Sequence, residues 1–173
     1  MGLATAYGIV KRMGGHISVE SQINKGTIFT LFFPLSKKKV EKEKERNQPL
    51  VQGKGSILVV EDEDHVRRIF RLALDAMGYD VIFKNDGVDG LDWFKDNHAH
   101  TDLVLLDLNM PRMGGAECFR EMKKIKPDVR CMLVSGHLEE GITDRFKEEG
   151  VLDMLYKPFT LVLLSERVSK ALS

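Results

Sequence analysis

An aspartate at the end of a short apolar run has the clearest chemical prospects in this chain. Asp107 follows Leu103-Val104-Leu105-Leu106 and precedes Leu108-Asn109-Met110-Pro111-Arg112-Met113-Gly114-Gly115. An uninterrupted apolar run of that length reads as a strand buried on both faces, as in a parallel sheet. Open α/β sheets place their ligands at the carboxyl ends of the strands. The proline and the glycine pair then turn the chain away. A carboxylate so placed is held in a fixed position facing solvent, which suits a metal ligand or a nucleophile. The plainer alternative is an aspartate that caps the next helix.

Three further strand ends carry reactive groups. Ile57–Val60 runs into Glu61-Asp62-Glu63-Asp64, Cys131–Val134 into Ser135-Gly136, and Met154–Tyr156 into Lys157-Pro158-Phe159. In a parallel sheet these ends share one edge. Taken singly, Ser135 reads as a helix N-cap and Lys157 as a solvated lysine. Neither alternative explains why acids, a hydroxyl and an ammonium recur at the same kind of position.

The elements that must position these groups alternate along residues 56–173. Strands are expected near 57–60, 80–84, 103–107, 130–134 and 153–156. Helices are expected near 64–77, 87–97, 115–125, 138–149 and 160–172, with Gly78 and Gly150 as helix stops. Five such pairs predict an α/β fold with a doubly wound, five-stranded parallel sheet. Val66, Ile69, Phe70 and Ala73 on one helix, and Leu91 with Phe94 on another, are expected to face the core. Trp93 fits a core or a surface position equally. Cys131 falls in an apolar strand and Cys118 in a helix; their spacing fits no metal site, and a disulfide is not expected.

The motifs Leu58-Val-Val-Glu-Asp-Glu63, Leu105-Leu-Asp-Leu-Asn-Met-Pro-Arg-Met-Gly-Gly115, Leu133-Val-Ser-Gly136 and Tyr156-Lys-Pro-Phe159 resemble, in order and spacing, the receiver domain of two-component response regulators. The resemblance covers residues 56–173. It implies a flavodoxin-like sheet of order 2-1-3-4-5. It implies that Asp107 accepts a phosphoryl group from a phosphohistidine. Mg²⁺ would be held by Asp62, Glu61, Asp107 and the backbone carbonyl of Asn109, with Asp62 the more direct of the two acids after the first strand. Ser135 and Lys157 would contact the phosphoryl group. The implied partners are a histidine kinase or a histidine phosphotransfer protein.

The chain departs from the family pattern in places. Glu61 stands where Asp is more common, and its longer arm is expected to reach the cation directly or through water. Met154, three residues before Lys157, stands where the family usually has Tyr or Phe. That puts the usual aromatic switch in doubt, although Met can fill the same cavity. His137, two residues after Ser135, flanks the phosphoryl site in such proteins and is as readily a surface histidine. A receiver fold retained only as a phosphorylation-independent interaction module is the competing function. The intact Asp62, Asp107, Ser135 and Lys157 argue against it.

The first 35 residues differ in kind. Met1 to His16 reads as a helix ending at a glycine pair. Ile17–Ser21 and Thr27–Phe33 read as two strands joined at Asn24-Lys25-Gly26. Gly2-Leu3-Ala4, Gly14-Gly-His-Ile17 and Lys25-Gly-Thr27 resemble the C-terminal end of the ATP-binding domain of sensor histidine kinases. The chain then looks like the tail of a hybrid sensor kinase. The family's upstream nucleotide-binding motifs and its phosphorylated histidine would precede residue 1, so kinase activity is not expected of this stretch. His16 is read as a helix-end residue. Ile28, Phe29, Leu31, Phe32 and Phe33 should present an apolar face, and a homodimer through residues 1–35 follows as an expectation.

Composition bounds the rest. Net charge is zero over 173 residues. Residues 1–55 carry 10 Lys/Arg and 4 Asp/Glu, and residues 56–173 carry 16 and 22. Residues 36–55 read as a charged linker. Glu41, Glu43 and Glu45 interleave its lysines and no aromatic residue lies in that mixed run, so nucleic-acid binding is not expected. No apolar stretch matches a membrane span or a signal peptide, which makes a cytoplasmic location the default.

Overall fold

The structure is a computed structural model that describes residues 2–35, 50–136 and 142–173. The chain divides into two compact units, Met1–Lys42 and Glu43–Ser173. The charged run 37–46, His137 and the expected helical turn at 138–141 lie outside the described residues.

The first unit holds helix α1 (Gly2–Arg12) and the strands β1 (His16–Gln22) and β2 (Gly26–Phe32). The strands pair antiparallel from His16↔Phe32 to Gln22↔Gly26. Asn24 and Gly26 take positive φ, 61° and 109°, and reverse the chain between them. Val10 on α1 is buried, whereas β2 is exposed along its whole length.

The second unit alternates strand and helix: β3 (Ser56–Val60), α2 (Asp64–Ala76), β4 (Asp80–Lys84), α3 (Gly87–Asn97), β5 (Leu103–Asp107), α4 (Gly115–Ile125), β6 (Cys131–Ser135), α5 (Ile142–Glu149), β7 (Asp153–Tyr156) and α6 (Leu161–Leu172). The sheet order is β4-β3-β5-β6-β7, and every pairing is parallel. Gly78 and Gly150, at φ 89° and 100°, end α2 and α5, as the left-handed position after a helix favours glycine.

The period of two along each strand divides the core between the two faces of the sheet. Ile57, Val59, Leu103, Leu105, Met132 and Val134 pack with Phe70 and Leu74 of α2 and Leu164 and Val168 of α6. Leu58, Val60, Val104, Leu106 and Leu133 face the other way, onto Leu91 and Phe94 of α3 and Phe119 and Met122 of α4. Val66, Phe70, Ala73, Leu91 and Phe94 are buried as expected. Ile69 is not; it is 45% exposed. The buried stripe of α2 is Val66, Phe70, Ala73, Leu74. At 3.6 residues per turn Ile69 lies roughly 90° from its centre. Trp93 is half-buried against the second core, with the Lys84 ammonium 5.9 Å from its ring centroid. Cys118 and Cys131 are both free and buried, and burial pushes the Cys118 thiol up to about 12.

Candidate functional site

The parallel register brings four strand ends together. Val60 pairs with Leu106, Asp107 with Val134 and Ser135 with Tyr156. Backbone bonds continue the ladder one step past the strands: Leu108 N–H donates to Val134 O at 2.9 Å, Lys157 N–H to Ser135 O at 2.7 Å and Glu61 N–H to Lys84 O at 3.1 Å. Gly115 brings α4 back over the end of β5. A Cβ there would lie 2.2 Å from the carbonyl oxygen of Asp107, so no larger residue fits this return.

Glu61, Asp62 and Asp107 each offer one carboxylate oxygen, and the three atoms lie within 4.8 Å of one another. Lys157 Nζ donates to Glu61 Oε2 at 2.7 Å and lies 3.4 Å from Asp107 Oδ1 and 3.9 Å from Glu63 Oε1. The other Glu61 oxygen accepts from the Glu63 N–H at 3.2 Å. Arg67 donates to the Glu61 carbonyl and to the Asp64 carboxylate. Glu61, Asp107 and Ser135 are all buried.

Burial, and then the charge of Glu61, push the Asp107 carboxyl up to about 6; Lys157 opposes this, and Asp62 adds to it. Burial alone would lower the Lys157 ammonium, but its hydrogen bond to Glu61 and the charges of Asp107 and Glu61 outweigh that and raise it. The site therefore combines a crowded set of acids with a lysine held in its charged form.

Asp62 Oδ1 is the buried side-chain oxygen that lacks a hydrogen-bond partner among the described residues. A buried acceptor left unpaired is costly. A divalent cation among Glu61, Asp62 and Asp107 would pair it and relieve the repulsion between the carboxylates. The donor set is all oxygen, as Mg²⁺ prefers, so the residues present fit that ion.

Each sequence-derived site residue in the described chain has a definite place. Asp62, Glu61 and Asp107 converge with Lys157. Ser135 ends β6 beside Lys157, and Asn109 is exposed in the loop two residues beyond Asp107. Met154 is buried in the core under α3, α4 and α5. The Tyr156 hydroxyl lies 3.9 Å from the Met154 sulfur and shares a 2.5 Å hydrogen bond with Thr143 Oγ1 of α5. Sequence reasoning missed Arg67, Asp86 and Arg112. Asp86 carried a legible signal, since Asn85-Asp86-Gly87 before a helix is an N-cap signature. Arg112 reaches across 26 residues to Asp86, and no local spacing announces that.

The family described as response regulator receiver domain matches residues 57–169. The chain belongs to the response regulator receiver domain family. It is 33% identical to the sensor kinase CckA of Brucella abortus over 99% of its own length and 19% of that protein. It is 30% identical to the sensor protein EvgS of Escherichia coli K12 over 98% of its length and 14% of that protein. The chain thus spans under a fifth of these relatives. Among solved structures, the receiver domain of the hybrid histidine kinase CckA matches at TM-score 0.59 and 33% identity, over 69% of this chain and all of that one. A receiver domain protein from Clostridium thermocellum matches at TM-score 0.65 and 30% identity, over 68% of this chain and 94% of that one.

Proposed function

We propose that this chain is a phospho-accepting station of a phosphorelay, and that Asp107 receives a phosphoryl group from a phosphohistidine. The observation that carries this reading is the convergence of Asp107 with Glu61, Asp62 and Lys157 at one sheet edge. An Asp107 oxygen attacks the phosphorus, the phosphorus–nitrogen bond breaks, and the imidazole leaves with the electron pair. The product is an acyl phosphate on Asp107. Asp62, Glu61, Asp107 and the carbonyl of Asn109 are the residues that would hold Mg²⁺. When bound, the ion supplies positive charge against the phosphoryl oxygens and the acid cluster. Lys157 neutralises charge from the opposite side as a point cation, and Ser135 offers a hydroxyl donor to the phosphoryl group. Attack of water on the acyl phosphate resets the site.

The relatives support a place in a hybrid sensor histidine kinase, since both alignments run through residues 1–35 as well as the receiver. On that reading residues 1–35 are the end of a kinase ATP-binding domain, residues 36–55 a linker and residues 56–173 the receiver. The partners are a histidine kinase or a histidine phosphotransfer protein, met in the cytoplasm.

The test is transfer from a phosphorylated histidine phosphotransfer protein to the wild-type chain and to Asp107→Ala. The expected result is a hydroxylamine-sensitive label on the wild type alone. A label of equal yield on Asp107→Ala would overturn the assignment, and binding of the donor without any transfer would favour a phosphorylation-independent interaction module.

A further inference from the structure

We propose that Arg112 is a positioning residue for the cation site, acting through the buried carboxylate of Asp86. The inference rests on the Mg²⁺ reading above. Residues 108–114 carry Asn109, whose carbonyl is one of the assigned ligands, and this loop must hold its shape for that carbonyl to serve.

Arg112 itself takes φ 64°. A non-glycine residue in the left-handed region costs free energy that some other interaction must offset. The compensating contacts are explicit. Arg112 Nε donates to Asp86 Oδ2 at 2.8 Å, and its Nη2 donates to the same oxygen. Nη2 also donates to Asp89 Oδ1 at 2.8 Å. The Asp86 side of this pair is only 8% exposed. Its other oxygen accepts the backbone N–H groups of Val88 at 2.8 Å and Asp89 at 3.1 Å, which caps α3. One carboxylate thus starts α3 with one oxygen and locks the loop with the other.

A second observation points the same way. A Cβ on Gly87 would meet the carbonyl oxygen of Met113 at 2.4 Å. The loop backbone is therefore seated directly on the first turn of α3, next to the clamp. The loop's ends are fixed as well, by Leu108 N–H to Val134 O at 2.9 Å and Gly115 N–H to Leu108 O at 3.1 Å. A loop held in this way incurs its ordering cost on folding instead of on ligand binding. The planar guanidinium fork engages two carboxylates at once, which a lysine ammonium on a flexible stem does not reproduce.

Removing the fork should weaken cation binding and leave the chemistry of a filled site largely intact. The experiment is calorimetric titration of Mg²⁺ into the full chain as wild type, Arg112→Ala, Arg112→Lys and Asp89→Ala. Amide hydrogen exchange over residues 108–114 is followed alongside. Arg112→Ala should raise the Mg²⁺ Kd by about tenfold, the low end of the effect of removing residues that support a metal site. Its loop amides should exchange faster, while its loading by acetyl phosphate at saturating Mg²⁺ stays close to wild type. Arg112→Lys should also bind more weakly, and Asp89→Ala, which leaves both Arg112 bonds to Asp86 in place, should weaken binding by less than Arg112→Ala does. If Arg112→Ala does not fold, Arg112→Lys carries the same test. Unchanged Mg²⁺ affinity in the Arg112 variant that folds would overturn the proposal while leaving the proposed function standing. A wild-type chain that binds no Mg²⁺ would overturn both.

Discussion

Burial and the Glu61 charge hold the Asp107 carboxyl at about 6, above its ordinary 3.8. The folded chain therefore binds this proton more tightly than the unfolded chain. The associated stability is fully present below about 3.8 and is lost as the pH rises through about 6. Asp107→Asn should remove that dependence and, without divalent cation, raise stability at pH 7 by roughly 2 kcal/mol. Denaturant unfolding at pH 4, 6 and 8 measures it. As the proposed phosphoacceptor, Asp107 must also be ionised to attack. At limiting Mg²⁺ its loading by acetyl phosphate should climb between pH 5 and 7, and saturating Mg²⁺ should move that climb to lower pH. Lys157 has the opposite weight. Its ammonium compensates the buried Glu61 carboxylate at 2.7 Å, so Lys157→Met should cost about 3 kcal/mol as well as phosphoryl loading. Equal stability of Lys157→Met and wild type would contradict that pairing. The acids, the serine and the lysine were legible as residues because each follows an apolar run. Their partners were not. That Glu61 gives one oxygen to Lys157, and that one Asp62 oxygen has no partner among the described residues, depends on distances that no sequence spacing encodes.

The strands and helices of the receiver were nearly all legible, because period and punctuation agree: Gly78, Gly150, Pro111 and the Gly114-Gly115 pair fall where elements end or turn. Ile69 was the exception. Its hydrophobicity fits a helix face, but α2 buries the adjacent stripe. Ile69→Ser should change stability by less than about 0.5 kcal/mol, while Phe70→Ala should cost about 3–5 kcal/mol. Thermal unfolding of the two variants distinguishes these positions. Gly115→Ala presses a methyl group onto the Asp107 carbonyl. It should destabilise by more than about 2 kcal/mol and displace the end of β5. The Tyr156 hydroxyl ties β7 to α5 through Thr143 beside a methionine at the usual aromatic position. Tyr156→Phe should cost about 1 kcal/mol, the net value of such a hydrogen bond.

At the scale of the whole molecule, the two units differ in how they satisfy their apolar residues. The receiver unit has a core on each face of its sheet. In the first unit Ile28, Phe29, Leu31, Phe32 and Phe33 are 45–66% exposed, and a two-stranded sheet alone is marginal. If a second copy covers that face, sedimentation velocity should show a concentration-dependent dimer that Phe29→Ser with Leu31→Ser abolishes; a monomer at high concentration excludes that dimer. Among the described residues no helix is long and apolar enough to cross a membrane. The proposed function requires of this chain a working acceptor at Asp107 that depends on a divalent cation. Intact-mass spectrometry after incubation with acetyl phosphate tests it most directly, with and without Mg²⁺ and beside Asp107→Ala. The wild type with Mg²⁺ should gain one phosphoryl group, and neither the wild type without Mg²⁺ nor Asp107→Ala should gain any. No addition to the wild type, or equal addition to the variant, would contradict it.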